Sequence, residues 1–317
     1  MKTVLIGVIL YNVYIMKIQI TGLSGFVGEN LFRYLSIKGI EIERISLRKK
    51  DWHVHIPVSA DAIIHLAGKA HDTSNTSSSD EYFEVNRDLT IELFKKFLSS
   101  DICDFFYFSS VKAVADTVDG VLAEDVQPKP LTPYGKSKLE AEQFLLSQTL
   151  PLGKRLFIMR PCMIHGPGNK GNLNLLYKVV DKNIPWPLSA FHNQRSFLSI
   201  DNLSYIIYKM LTDQSVPSGV YNVADDESLS TNDLVSLIAA TLGKKEHLWH
   251  ISPGFIKSMV RIGDILPLPL NSERLKKLTE SYVVSNQKIK TALGVDKLPL
   301  SAKEGLIKTI LSFKVSK

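Results

Sequence analysis

Short apolar runs alternate with amphipathic ones through the first half of the chain. Ile18–Thr21, Glu41–Leu47, Ala62–Ala67, Phe105–Ser110 and Leu156–Pro161 have the length and composition of strands. Between them, Phe26–Lys38, Glu81–Leu98 and Pro133–Ser147 carry helical patterns. In the longest of these, Phe83 to Phe97, apolar residues recur every four positions at Val85, Leu89, Leu93 and Phe97, which predicts one buried face. Strands alternating with helices read as βαβ units. The predicted fold class is therefore α/β, a Rossmann-type doubly wound parallel sheet.

After about residue 165 the texture changes. Gly166-Pro167-Gly168, Pro185-Trp186-Pro187 and the proline-containing stretch 266–270 are loop material. Gly219–Val223 reads as a strand returning to the sheet. Thr231–Leu242 reads as a helix with Ser230 or Thr231 as N-cap and Gly243 at its end. The expected organisation is a core over residues 16–165 and a smaller C-terminal α/β lobe over 166–317, with 195–224 returning to the core. Val4–Ile15 is apolar over about a dozen residues, whereas a membrane span needs about 20. Residues 1–15 are read as an extension outside the domain, with Met16 as a candidate initiator and no stable membrane insertion.

Composition excludes disorder and a disulfide scaffold, since 44% of the 317 residues are hydrophobic and only two are cysteines. Those two thiols fit a reducing, cytoplasmic compartment. The net charge of +6 is spread thinly, with its densest clusters at Arg48-Lys49-Lys50 and around 274–277, so no nucleic-acid partner is expected. Nothing pairs His53, His55, His65 and His71 into a metal site; His65 is expected to pack and hydrogen-bond at a strand end.

Candidate chemistry begins at Thr21-Gly22-Leu23-Ser24-Gly25-Phe26-Val27-Gly28, a GxxGxxG loop between a strand and a helix. Glycine there permits a tight turn and close approach of the backbone to a pyrophosphate, and the helix N-terminus offers free N–H groups to the anion. The loop marks residues 16–165 as an NAD(P)-binding core. After the second strand Arg48 precedes the first acid, Asp51. A cation there favours the 2′-phosphate of NADP, with NAD as the alternative.

Tyr134-Gly135-Lys136-Ser137-Lys138 opens a helical pattern, so Tyr134 and Lys138 can share one face. A phenol with a pKa of about 10 is a poor base, but a neighbouring ammonium and an oxidised nicotinamide favour the phenolate. Ser110, at the end of a strand, could hold a substrate hydroxyl or carbonyl. The YxxxK spacing also occurs at Tyr34/Lys38 and Tyr205/Lys209, and only Tyr134 follows a strand ending in Ser-Ser.

Together these residues resemble the extended short-chain dehydrogenase/reductase family, the NAD(P)-dependent epimerases and dehydratases of nucleotide sugars. The resemblance runs from about residue 16 to about 312. It includes the glycine loop, Asp61 to Gly68, Val85-Asn86, Phe108-Ser109-Ser110, Pro133-Tyr134 to Lys138, and Arg160-Pro161 to Gly168. Arg195 to Asp201 and Tyr221-Asn222-Val223 complete it. It implies catalytic roles for Ser110, Tyr134 and Lys138. The cofactor would be lined by Gly22, Gly25, Phe26, Val27, Gly28, Leu66, Ala67, Gly68 and Pro161 together with Tyr134 and Lys138. Asn172, Leu173 and Arg195 would contact the diphosphate of a nucleotide-sugar substrate, expected to be UDP-linked. A homodimer through the helices near Glu81–Phe97 and Pro133–Ser147 is also implied.

The sequence departs from the family's pattern in four places. Val111-Lys112-Ala113 replaces a Val-Tyr-Gly ending, His165-Gly166-Pro167 stands for Tyr-Gly-Pro, and Met163 stands where some 4-epimerases carry a substrate-binding Asn. The short stretch before Asp61 is more like the 4-keto sugar reductases. The expected activity is hydride transfer at C4 of a nucleotide-linked hexose, as in the UDP-sugar 4-epimerases. The alternatives are an NADPH-dependent 4-keto sugar reductase and, from another class, a catalytically silent redox-sensing module. A 4,6-dehydratase is disfavoured because Val111-Lys112 follow Ser110 where an Asp-Glu pair would serve.

Overall fold

The computed structural model describes residues 14–48, 52, 60–69, 78–169, 171–265 and 271–315. Most of the N-terminal extension, Lys49 and Lys50, His53, His55 and His71, and the stretch 266–270 lie outside the described residues. In chain order the elements are β1 (Lys17–Thr21), α1 (Phe26–Ile37), β2 (Glu41–Ile45), β3 (Ala62–His65), α2 (Ser79–Phe83), a π-helical turn (Glu84–Asp88) and α3 (Leu89–Leu98). Then come β4 (Asp104–Phe108), a 3₁₀ turn (Val111–Ala113), β5 (Val121–Leu122), α4 (Pro133–Ser147), β6 (Arg155–Pro161), β7 (Met163–His165) and α5 (Asn172–Asp181). The chain continues through β8 (Arg195–Ser199), α6 (Ile200–Thr212), β9 (Gly219–Val223), β10 (Ser228–Leu229), α7 (Thr231–Leu242) and α8 (Pro253–Ile265). It closes with α9 (Ser272–Thr279), β11 (Val283–Val284), α10 (Gln287–Leu293) and α11 (Ala302–Val315).

Six strands in the order β2-β1-β3-β4-β6-β9 form the central sheet, parallel at every pairing. Successive side chains enter opposite faces, as a strand covered on both sides requires. Ile18, Ile20, Ile64, Phe106, Phe157 and Met159 pack with Leu31 and Leu35 of α1 and with α6 and α10. Ile63, Phe105, Tyr107, Leu156 and Ile158 pack on the other face with Phe94 and Phe97 of α3 and Leu145 of α4. The sheet order reverses between β1 and β3. A crevice opens beyond the carboxyl ends of strands at such a switch point.

A third apolar cluster gathers Leu173 and Tyr177 of α5, Phe197 of β8, Ile238 of α7, Val260 of α8, Leu275 of α9 and Ile310 of α11. Of the returning segment, β9 joins the central sheet beside β6 and α6 packs on α1, whereas β8 pairs with β7 and β10 in a separate sheet. In α7, Ser230 and Asp233 form a capping box at the start, and Gly243 ends the helix at φ 67°.

The predicted stripe on the helix near residue 90 holds only in its second half. Tyr82, Asn86, Thr90, Leu93, Phe94 and Phe97 are buried, while Val85 and Leu89 are half-exposed. The π-helical turn shifts the inward face by part of a turn and brings polar Asn86 and Thr90 inside. An apolar periodicity cannot register an inward face built from an amide and a hydroxyl.

Candidate active site

The site forms where β1, β3, β4 and β6 end. Gly22 follows β1 at φ +71°, and a Cβ there would stand 2.7 Å from the Ala67 nitrogen and 2.9 Å from the Leu66 carbonyl carbon. Gly28 lies as tightly against the loop, since its Cβ would come 2.6 Å from the Gly22 oxygen. The Gly25 N–H donates to the Gly22 carbonyl at 3.0 Å, and α1 starts on Gly25 without a side-chain cap. Ser24 and Gly25 are exposed, and Phe26 and Val27 are half-buried. Close backbone packing, an uncapped helix start and exposed small residues fit the pyrophosphate of a dinucleotide. Phe26 also lies under the Gly166-Pro167-Gly168 turn: a Cβ on Gly166 would stand 3.4 Å from its ring.

Behind this loop runs a buried chain of hydrogen bonds. The Ala67 N–H donates to the Thr21 hydroxyl at 3.0 Å, and that hydroxyl meets His65 Nδ1 at 2.7 Å. His65 Nε2 meets the Thr90 hydroxyl at 2.9 Å, and Thr90 donates to the Asn86 carbonyl at 2.8 Å. These bonds assign the ring proton to Nε2 and leave Nδ1 to accept from Thr21. Burial first, and the nearby Lys138 charge second, push the imidazole down to about 3, so His65 stays neutral. The Asn86 amide accepts from the Lys69 N–H at 2.7 Å and donates to Ser137 Oγ at 3.1 Å, and Ser137 donates to the Tyr134 carbonyl at 2.9 Å. The turn after β3 is thereby tied to the helix that carries Tyr134.

That helix, α4, starts at Thr132, whose hydroxyl accepts from the Gly135 N–H, with Pro133 in the first turn. A Cβ on Gly135 would stand 2.4 Å from the Lys112 carbonyl oxygen, so only glycine lets the helix start press on the 3₁₀ turn after Ser110. Ser110 and Tyr134 thus meet, both half-buried. Burial pushes the Tyr134 phenol up, and a hydrogen bond with Ser110 works against that shift. The Tyr134 ring stands edge-on to Tyr82 at 6.2 Å. One turn later Lys138 is buried; its ammonium donates to the Phe108 carbonyl at 2.8 Å and lies 4.9 Å from the Tyr107 ring centre. Burial lowers it to about 8, and Glu142 pulls the other way. A Cβ on Gly68 would stand 3.2 Å from the Lys138 nitrogen, so the turn after β3 also reaches this cation.

The remaining sequence candidates are placed less uniformly. Pro161 ends β6, buried beside Val223 of β9. Arg195 is half-buried on β8, donates to the Glu280 carbonyl at 3.4 Å, and is pushed down by burial against the charge of Glu280. The Leu173 side chain is sealed in the third apolar cluster, which leaves only its backbone to a ligand. Asn172 is the first residue of α5, and its side chain lies outside the described residues. Arg48 is exposed just past β2. Sequence reasoning missed Thr90 and Glu142, and named Thr21, Asn86 and Arg160 without giving any of them a role of its own. Among the described residues no cluster could hold a metal ion, and no helix is long and apolar enough to cross a membrane.

A family model described as the NAD dependent epimerase/dehydratase family matches residues 18–224. The UDP-glucose 4-epimerase of Vibrio cholerae is 30% identical to this chain, over 94% of it and 95% of the relative. Among solved structures, MoeE5 in complex with UDP-glucuronic acid and NAD aligns with a TM-score of 0.73 at 19% identity, covering 95% of this chain and 100% of its own. RMD from Pseudomonas aeruginosa complexed with NADPH aligns with a TM-score of 0.73 at 21% identity, covering 95% and 100%. At those identities the two structures share the fold; one carries NAD and the other NADPH.

Proposed function

The chain belongs to the NAD dependent epimerase/dehydratase family, and from that premise we propose that it is a nucleotide-sugar 4-epimerase acting at C4 of a UDP-linked hexose. The observation that carries the reading is the Ser110–Tyr134 contact with buried Lys138 one turn on, set against the glycine loop across the end of the sheet. The 30% identity to a UDP-glucose 4-epimerase along nearly the whole chain supports the UDP-sugar substrate.

Gly22, Gly25 and Gly28 with the start of α1 would hold the cofactor pyrophosphate, and Leu66 to Gly68 would line the dinucleotide beyond it. A bound dinucleotide would supply the hydride acceptor and donor for C4 of the sugar. Tyr134 Oη takes the proton of the sugar 4-hydroxyl and gives it back, and Ser110 Oγ shares that hydrogen bond and fixes the oxygen. Lys138 supplies the positive charge that favours the phenolate. Arg195 would face the substrate diphosphate, which a guanidinium can grip with two hydrogen bonds. The same reading includes a homodimer through the helices near Glu81–Phe97 and Pro133–Ser147, supported by the half-exposed Val85 and Leu89 and the exposed Leu146.

The test is conversion of UDP-glucose to UDP-galactose, and of their N-acetylated counterparts, followed by NMR with and without added NAD. An epimerase reaches an equilibrium mixture without net cofactor turnover. Stoichiometric NADPH consumption with a 4-keto nucleotide sugar, and no epimer formed, would replace this reading by the reductase.

Arg48 supports NADP as the preferred cofactor. Arg48→Ala is expected to weaken NADPH binding about tenfold, the worth of one exposed charge-assisted contact, and to leave NADH within about twofold. Fluorescence titration of both nucleotides checks this. Equal losses for the two would show that Arg48 does not read the 2′-phosphate.

A further inference from the structure

Behind Lys138 lies a buried charge cluster that the proposed reaction does not use. Glu142 sits one turn beyond Lys138 on α4 and is 1% exposed. Its carboxylate accepts from Arg160 Nε at 3.0 and 3.1 Å and again from Arg160 Nη2. Ser109 Oγ donates to it as well. Arg160 is 5% exposed and directly precedes Pro161 at the end of β6, while Ser109 directly precedes Ser110 at the end of β4. One carboxylate therefore joins α4 to the ends of two strands, each next to a proposed site residue.

A buried carboxylate needs such partners, because an unpaired one would take up a proton and lose its charge. Arg160 and Ser109 supply those partners. The groups facing the Lys138 ammonium are then few. They are Glu142 and, one turn earlier, Tyr134 from its own helix; Tyr107 and the Phe108 carbonyl from β4; and neutral His65 from β3. Glu142 carries the negative charge among them.

We propose that Glu142 is a positioning residue of the Ser110, Tyr134 and Lys138 site: clamped by Arg160 and Ser109, its carboxylate sets the charge one turn from Lys138 and fixes α4 against the ends of β4 and β6. The proposal rests on the reading that Tyr134 and Lys138 act together. Burial disfavours the Lys138 cation, and the Glu142 charge opposes that.

The test follows Lys138 itself. In the full-length protein labelled with ¹⁵N-lysine, the Lys138 side-chain signal, assigned by its loss in Lys138→Met, is titrated against pH. Glu142→Gln is expected to lower its midpoint by about one pH unit, and Glu142→Asp, which keeps the charge, to restore it to within about 0.3 unit. In epimerase turnover the alkaline limb of kcat shifts down with that midpoint, while KM stays within about threefold. Where Glu142→Gln fails to fold, the Lys138 midpoint in Glu142→Gln/Arg160→Gln is compared with that in Arg160→Gln, so that the two variants differ only in the carboxylate; double neutralisations are tolerated better than unpaired charges. A midpoint unmoved in the variant lacking the carboxylate overturns the proposal. So does an equal shift in Glu142→Asp, which would mark a packing role. If Tyr134→Phe retains turnover the parent reading fails, yet the Lys138 titration still judges the Glu142 proposal separately.

Discussion

Tyr134→Phe is expected to reduce turnover by about a thousandfold while leaving NAD(P)H affinity within about threefold, because positioned acid–base groups contribute on the order of 10² to 10⁴. The substitution removes one oxygen and keeps the ring, so the edge-on packing against Tyr82 survives. The backbone of Tyr134 still accepts from Ser137, and the Asn86 network behind it is untouched. What disappears is the group proposed to exchange a proton with the sugar hydroxyl, and the hydrogen bond it makes with Ser110. That loss acts on the transition state, so kcat falls and KM changes little. Stability should change by less than about 1 kcal/mol, since a half-buried hydroxyl and a single hydrogen bond are involved. Steady-state kinetics beside a nucleotide titration on the same preparation checks all three quantities. Turnover within tenfold of the parent protein would remove Tyr134 from the chemistry and the epimerase proposal with it.

The contrast between Tyr134 and its two look-alikes shows how far the sequence reaches. Tyr34/Lys38 and Tyr205/Lys209 carry the same spacing, and the pattern cannot separate them from Tyr134/Lys138. In the structure Lys38 lies over the rings of Tyr34 and Tyr208, 5.7 and 5.3 Å from their centres, on the side of the sheet where α1 packs on α6. The strand ending in Ser109-Ser110 made the distinction, because a strand end in a parallel sheet has a known direction.

The glycine loop was legible for a related reason: its steric demands are local, and they fall on the glycines themselves. The relay from Thr21 through His65 and Thr90 to Asn86 was not legible. Its members are up to 51 residues apart when Ser137 is included, and only the sheet order brings them together. Nor could an apolar periodicity announce an inward-facing Asn86, whose burial depends on partners supplied by other segments. The pairing of Glu142 with Arg160 was hidden in the same way. Each reads as a surface charge until β6 and α4 are packed side by side.

The second large effect is expected at Gly22, where alanine should lower stability by about 3 kcal/mol and weaken NAD(P)H binding by more than about a hundredfold. Two penalties combine. A left-handed backbone costs an L-residue about 1–2 kcal/mol, and forcing a methyl into filled space typically costs a further 1–3 kcal/mol or so. The space is filled by backbone, with the Ala67 nitrogen at 2.7 Å and Ala67 Cα at 2.9 Å, so no flexible side chain can move aside. Relief requires the β1–α1 turn to part from Leu66 and Ala67. That movement stretches the Ala67–Thr21 hydrogen bond and displaces the start of α1, where the pyrophosphate is proposed to bind. Gly39 supplies the control: it has a similar φ of +80° but open space around its Cβ position. Gly39→Ala should therefore lose about 1 kcal/mol from backbone conformation alone and bind nucleotide normally. Thermal melts and nucleotide titrations of the two variants separate strain from collision. Normal NAD(P)H binding by a folded Gly22→Ala variant would show that the close approach of β1 and β3 does not shape the cofactor site.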